Sequence, residues 1–373
     1  MGEKVRLAVI STDVRRDSAL PFLLFKKVDV KHFYNSAPYS DFNPKEIPQL
    51  ERYRTFFDLC IKIRKYRPHI IQGSEPYGFP KTFQACAAAY LMSKILKIPM
   101  LFPMFENRPP EARFGVFAPL LKKILKIYAN QAKLVLFLNE MAKKNLIEAG
   151  VPENKLKRVM WGTSGVNIKE FSPRKTGREP NFGKAILFVG LLDERKGVMY
   201  LLQAFKRVKK KIKDLKLVMI GKGPLHKKIV KFAKENGLEN EIFLLGSVRN
   251  EEMPNYFRSA LLTVIPSITT KKWAEQVGMA NIQSMACGVP VVSTFSGAIP
   301  EYVKNGKTGI LVPEKDAESL AEAIVKLLED ERLRKKLGKN ARKYAIEHFD
   351  IRKNVQKCEE LVLEILSGAG AGI

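Results

Sequence analysis

A chain of 373 residues is too long for one ordinary core, so two domains are expected. Its 46% hydrophobic and 28% charged residues exclude a disordered chain, and no apolar run is long enough to span a bilayer. Lysine and arginine number 65 against 38 acids, a formal charge of +27 that calls for nucleic acid, an anionic membrane surface or phosphorylated small molecules as partner, unless it serves solubility alone.

The first residues lead straight into a predicted strand at 5–10, with too short an apolar stretch for a signal peptide. Further strands are expected at 69–72, 99–104 and 134–138, and helices at 45–65, 81–95 and 112–128. The most apolar stretch, 85–102, is broken by Lys94 and Lys97 and reads as a helix followed by a strand. Residues 172–183, polar and rich in proline and glycine, read as a linker. Beyond it the rhythm repeats, with strands at 185–189, 215–220, 242–245, 262–265 and 289–293. Helices from Asp316, a candidate N-cap, to Leu366 close the chain, and the terminal GAGAGI is expected to fray.

Strands alternating with helices imply parallel sheets covered on both faces. The expected fold is therefore α/β, two Rossmann-like doubly wound domains facing across a cleft at the carboxyl ends of their strands. The expected division is 1–173, 174–350, and a terminal helix within 351–373 crossing back to the first domain. The four cysteines are scattered without metal-ligand spacing, so buried thiols and a cytoplasmic setting are expected.

Three stretches of the second domain suit phosphate and sugar chemistry. FVGLLDERKG sets Gly190 after a strand and Lys196 at a helix start, where a cation and free N–H groups both favour an anion. IGKGP places Gly221 and Gly223 in a strand-to-helix turn. EQVGMANIQSMACGVPVV leads from Glu275 through Gly278 into a helix whose first turn, Met279, Ala280 and Asn281, offers backbone N–H groups. Gln283 lies further along that helix. Each alone is as well explained by a surface lysine, a tight turn or a solvated loop acid.

Taken in order, these segments resemble the retaining glycosyltransferases of the GT-B fold, the glycogen-synthase-like and mannosyltransferase-like group. The agreement continues through IFLLGSV, MACGVPVVSTFSGAIPEYV and NGKTGILVPEKDAESLAEAI, and VPENKLKRVMWGTSGVNIKEFSP resembles the approach to that family's interdomain linker. The resemblance implies transfer of a sugar from a nucleotide sugar with retained anomeric configuration and without a metal or other cofactor. It implies that Lys196 neutralises the leaving diphosphate and Glu275 touches the donor sugar. Gly190, Gly221, Gly223, Gly278, Met279 and Ala280 would line the donor, the Val248 backbone would lie by the nucleobase, and Gln283 would hold the ribose. UDP, GDP and ADP donors are not distinguished.

The pattern breaks at three places. Leu191 stands where the family usually has an arginine, with Arg195 nearby as a substitute; Gln283 stands where it has a second glutamate; and in GSEPYGFP, Ser74 stands for a histidine, with Glu75 kept. Asp13, Arg15 and Arg16 follow the first strand, and Glu106, Asn107 and Arg108 follow another; Asp13, Ser74, Glu75, Glu106 and Asn107 form the candidate acceptor side. These departures motivate an alternative, a weak or inactive member that binds a nucleotide sugar or serves as a subunit. An oxidoreductase would need a G-x-G-x-x-G turn after the first strand, which is missing. The partners expected are thus a nucleotide-sugar donor and a sugar or lipid-linked acceptor. Peripheral contact with an anionic membrane suits the charge and the FAPLLKKILKIY helix, and no nucleic-acid module is visible.

Overall fold

The computed structural model describes residues 4–37, 43–77, 81–174 and 176–368, without the side chains of 16–18 and 81. The last residues of the GAGAGI tail lie outside that set, as does the glycine of GSEPYGFP. Two compact units are formed, one by 1–164 with 351–373 and the other by 165–350. Residues 172–183 belong to the second unit.

The first unit holds a seven-stranded sheet of β1 (Val5–Asp13), β2 (Val28–Ser36), β3 (Leu50–Arg52), β4 (Ile70–Gln72), β5 (Met100–Met104), β6 (Leu134–Phe137) and β7 (Leu156–Arg158). The order is β3-β2-β1-β4-β5-β6-β7 and every pairing is parallel. The second unit holds β8 (Ala185–Val189), β9 (Lys216–Ile220), β10 (Ile242–Leu244), β11 (Leu262–Ile265), β12 (Val291–Thr294) and β13 (Gly309–Val312), ordered β10-β9-β8-β11-β12-β13, again all parallel. In each sheet the strand order reverses beside the first strand, between β1 and β4 and between β8 and β11. Loops leaving the carboxyl ends there diverge and open a crevice.

The expected helix at 45–65 is corrected. Residues 44–46 make a single 3-10 turn, Leu50–Arg52 pairs with β2, and the helix begins only at Phe56. Pro48 lacks an N–H for a helix, and Thr55 restarts one by accepting from the Asp58 N–H at 3.1 Å. The expected helix at 112–128 is two, Pro110–Phe114 and Ala118–Gln131, parted at Gly115, whose φ is 55°. β2, β3, β7 and β13 escape the sequence reading. Asp316 does cap its helix, accepting from the Glu318 and Ser319 N–H groups at 3.0 and 2.9 Å.

The last helix, Ile351–Ser367, belongs to the first unit, where Cys358, Leu361 and Val362 join Leu7, Val9, Val30 and Ile70 in one core cluster. Buried Glu359 fixes it: one carboxylate oxygen accepts the N–H groups of Lys26, Lys27 and Val28 at 2.6, 2.5 and 2.9 Å. Glu359→Gln keeps an acceptor but loses the charge assistance, so chemical denaturation should show a loss of about 1–2 kcal/mol. Among the described residues no helix is long and apolar enough to cross a membrane, and the four cysteines are free thiols.

Candidate active site

The reversal of strand order in the second sheet sets the loop that carries Lys196 beside the loop that carries Glu275. After β8, Asp193 accepts the Lys196 N–H at 3.2 Å and shapes a 3-10 turn, Glu194–Lys196. Gly197 then begins the helix Val198–Lys211 with φ 64°. A Cβ on Gly197 would lie 1.9 Å from the Pro266 carbonyl oxygen, so only glycine lets the β8 loop close on the β11 loop. Ile268 N–H donates to the Arg195 carbonyl at 2.8 Å and ties the same two loops.

This closure brings Lys196 against Glu275. The ammonium lies 2.5 Å from Glu275 Oε2, which also accepts the Ser267 hydroxyl at 3.0 Å. The side chains are 18% and 11% exposed, so the pair is largely shielded and keeps a small accessible surface. Trp273 receives both neighbouring cations on its ring, Arg195 at 5.0 Å and Lys196 at 5.1 Å. Arg195 also grips Asp193 Oδ2 through Nε at 3.0 Å and Nη2 at 2.6 Å. It is held within its own loop by those contacts.

Beyond Glu275 the chain turns through Gly278, with φ 77°, into the helix Met279–Ala286. No side chain caps that helix, and the Gly278 carbonyl takes the Asn281 N–H at 2.9 Å, which leaves the Met279 and Ala280 amides at its start beside the loop of Glu275. Gln283 is half-buried one turn on, and its amide nitrogen lies 3.5 Å from Asn250 Oδ1. Gly221 and Gly223 have a different explanation from close ligand approach. A Cβ on either would lie 1.8 Å from the Gly190 or 2.4 Å from the Leu192 carbonyl oxygen, so packing between the β8 and β9 loops already requires both glycines. Val248 is half-buried on the loop after β10, where the Gly246 carbonyl accepts the Gly221 N–H at 2.7 Å. Leu191 is 49% exposed.

Sequence reasoning missed three contributors. Trp273 sits in a loop without periodicity, and nothing in the pattern marks it as the platform beside both cations. Asn281 stands out in the sequence for its backbone alone, yet its side chain is wholly buried and, among the described residues, its Oδ1 has no hydrogen-bond partner. Glu314 accepts both the Thr269 N–H at 2.7 Å and its hydroxyl at 2.6 Å, binding the β11 loop to the end of β13.

In the first unit the corresponding loops are more enclosed. Ser74 is buried and its hydroxyl donates to the Ile10 carbonyl at 2.7 Å, joining β4 to β1. Glu75 accepts the Phe105 N–H; although part of the residue reaches solvent, its carboxyl group is enclosed, and burial pushes it up to about 7. Buried Glu106 pairs with Arg113 and accepts the Arg108 N–H at 2.9 Å, and Asn107 is buried beside it. Asp13, exposed, accepts the Ser36 hydroxyl. Arg15 follows β1, while the side chain of Arg16 lies outside the described set. Among the described residues no three His, Cys, Asp or Glu side chains are placed to hold a metal ion.

Residues 170–344 match the family model described as glycosyl transferases group 1. An uncharacterized glycosyltransferase of Methanocaldococcus jannaschii is 30% identical over 325 residues, 84% of this chain and 82% of that one. The GDP-mannose-dependent alpha-(1-6)-phosphatidylinositol monomannoside mannosyltransferase of Mycolicibacterium smegmatis is 26% identical over 65% of each chain. Among solved structures, Anabaena HepE in complex with UDP superposes with a TM-score of 0.78 at 18% identity, covering 97% of this chain and all of that one. Sucrose-phosphate synthase from Thermosynechococcus elongatus gives 0.72 at 19% identity over 98% of this chain and all of that one. At such identity these two structures speak to the fold.

Proposed function

The chain belongs to the group 1 glycosyltransferases, and on that premise we propose that it is a retaining, metal-independent enzyme passing a sugar from a nucleoside-diphosphate sugar to a sugar or lipid-linked acceptor. The observation that carries this reading is the Lys196–Glu275 pair at the strand-order reversal, beside the uncapped start of the helix Met279–Ala286. Charge that develops on a departing diphosphate needs donors already in place, and a lysine with helix-terminal amides supplies them. A diphosphate carries more charge than one carboxylate, so a bound donor would draw the Lys196 ammonium from Glu275 and release that carboxylate to sugar hydroxyls. Gln283 would then bond the ribose as a neutral amide, more weakly than a carboxylate would.

In the proposed reaction the bond from the anomeric carbon to phosphate breaks as the acceptor hydroxyl attacks the same face. The hydroxyl proton passes to the departing phosphate oxygen. No separate base is then needed, which accommodates Ser74 in place of histidine. Two relatives suggest the acceptor class: the Mycolicibacterium smegmatis enzyme named above, and a phosphatidyl-myo-inositol mannosyltransferase of Mycobacterium leprae, 34% identical over 46% of this chain. The Anabaena complex with UDP supports a UDP donor and the GDP-mannose enzyme a GDP donor, and ADP stays beside them as a third.

The test is calorimetric titration with UDP, GDP and ADP in EDTA, followed by NMR of the glycoside formed from the matching sugar nucleotide and membrane lipid acceptors. One nucleotide is expected to bind selectively, and the product should keep the donor's anomeric configuration. Inverted product overturns retention, and activity only after divalent metal is restored overturns metal independence. Selective binding without transfer favours the donor-binding subunit.

A further inference from the structure

One face of the first sheet carries the helix Glu140–Glu148 and, beside it, three neighbouring helices, Phe56–Tyr66, Lys81–Leu96 and Ala118–Gln131. Leu59, Ile63, Ala88, Met92, Leu125 and Ala129 join Ile10, Ile71 and Phe102 in the core below them. Tyr90 and Tyr128, with ring centroids 5.1 Å apart, join the second helix to the third. The outer side of this layer should be polar. Instead it exposes Phe57 at 74%, Ile61 at 67% and Phe117 at 65%, together with Leu91, Ile95 and Leu120. Eight of the fourteen exposed large hydrophobic residues of the described chain lie on these three helices or at their immediate ends, a concentration that scattered surface side chains do not produce.

Charge gathers on the same elements. The three helices hold eight lysines and arginines against one acid, Asp58. The opposite face of the sheet provides the comparison: its helix Ile351–Ser367 has three basic and three acidic residues and contributes none of the fourteen exposed hydrophobics, and its other helix, Arg16–Leu23, adds only Leu24 just past its end. Apolar exposure and an excess of positive charge therefore coincide on these three helices and are both lacking on Ile351–Ser367.

We propose that this three-helix layer docks the protein on an anionic lipid bilayer, with Phe57, Ile61, Phe117 and Leu120 entering the headgroup–acyl boundary and the lysines around them meeting lipid phosphates. A second copy of the chain fits less well, because two such faces repel. Nucleic acid would answer the lysines and leave the phenylalanines and leucines uncovered. A bilayer surface answers both, since lysine stems lie along the apolar boundary while their ammonium groups reach the headgroups. The proposal stands apart from the donor chemistry and does not rest on it.

The experiment is co-sedimentation of the full chain with vesicles of phosphatidylcholine alone and of phosphatidylcholine mixed with phosphatidylglycerol. Binding is expected to the mixed vesicles, and the Phe117→Ser, Leu120→Ser double variant should weaken it about tenfold or more. That variant changes exposed side chains, so its thermal melt should match the wild type. Lys123→Glu with Lys126→Glu should abolish the preference for phosphatidylglycerol while leaving nucleotide titrations unchanged. The proposal is overturned by no binding to either vesicle, by equal binding to both, or by a Phe117 and Leu120 variant that sediments like wild type. A dimer in vesicle-free ultracentrifugation that this variant dissociates would assign the face to a second copy and overturn it equally.

Discussion

Lys196→Ala should lower kcat/KM for the nucleotide-sugar donor by roughly two to three orders of magnitude, the usual consequence of removing one preorganised donor from developing negative charge. Two effects add here. The phosphate loses its ammonium, and Glu275, 11% exposed, loses its lysine while remaining a carboxylate beside the same phosphate. Arg195 is poorly placed to take over, because its guanidinium is engaged by Asp193 and stacked on Trp273. Lys196→Arg should recover part of the loss, as charge returns with a bulkier group. Steady-state kinetics and nucleotide titration on the two variants check this. Unchanged kinetics in Lys196→Ala would remove the lysine from the proposed mechanism.

Glu75→Gln should stabilise the protein at pH 8 and reveal a pH dependence that the wild type conceals. Burial raises the Glu75 carboxyl from 4.5 to about 7, against the lesser pull of the Phe105 N–H and Arg113. Between those values the folded state holds a proton that the unfolded state has lost. The contribution is therefore full below pH 4.5 and disappears as pH rises through 7. Burial lowers His32 from 6.5 to about 4, so its contribution is full above pH 6.5 and disappears as pH falls through 4. From pH 4.5 to 6.5 the two slopes oppose each other.

Glutamine at position 75 can still accept the Phe105 N–H but carries no titrating proton. Urea denaturation of Glu75→Gln should thus show stability rising with pH from 4 to 6.5, with His32 contributing about 3 kcal/mol of the rise. At pH 8 the variant should exceed the wild type by about 2 kcal/mol, after discounting for the part of Glu75 that reaches solvent. A variant less stable than wild type at pH 8 would mean that the ionised carboxylate is stabilised in place, with Arg113 as the nearest cation, and the assigned burial effect would fail.

The sequence by itself determined the fold class and most of the second sheet. Runs such as AILFV and LTVI are apolar throughout because both faces of a parallel sheet are covered, and that signal survives without any neighbour in view. It also singled out Lys196, Glu275 and Gly278, through their order and spacing taken together, since each alone fits a surface lysine, a loop acid or a tight turn. What it left unread were elements whose reason is pairing. β3 is three residues long and exists because β2 offers it an edge, and β2 itself, VDVKHFYNS, mixes lysine, histidine and asparagine among its apolar positions.

Tertiary structure alone decided which atoms meet. Lys196 and Glu275 stand 79 positions apart and come within 2.5 Å because β8 and β11 are neighbours in the sheet and the loops leaving their adjacent carboxyl ends close on each other at Gly197. Gly221 and Gly223 fit a ligand turn equally well in one dimension, and only the carbonyls of Gly190 and Leu192 packed against them show that the loops themselves demand glycine. Exposure was hidden for the same reason. The FAPLLKKILKIY pattern is common to a core helix and a surface one, and the packing of Leu125 and Tyr128 inward is what leaves Phe117 and Leu120 outside. Periodicity records that a helix has an apolar side; which side finds a neighbour is settled by the rest of the chain.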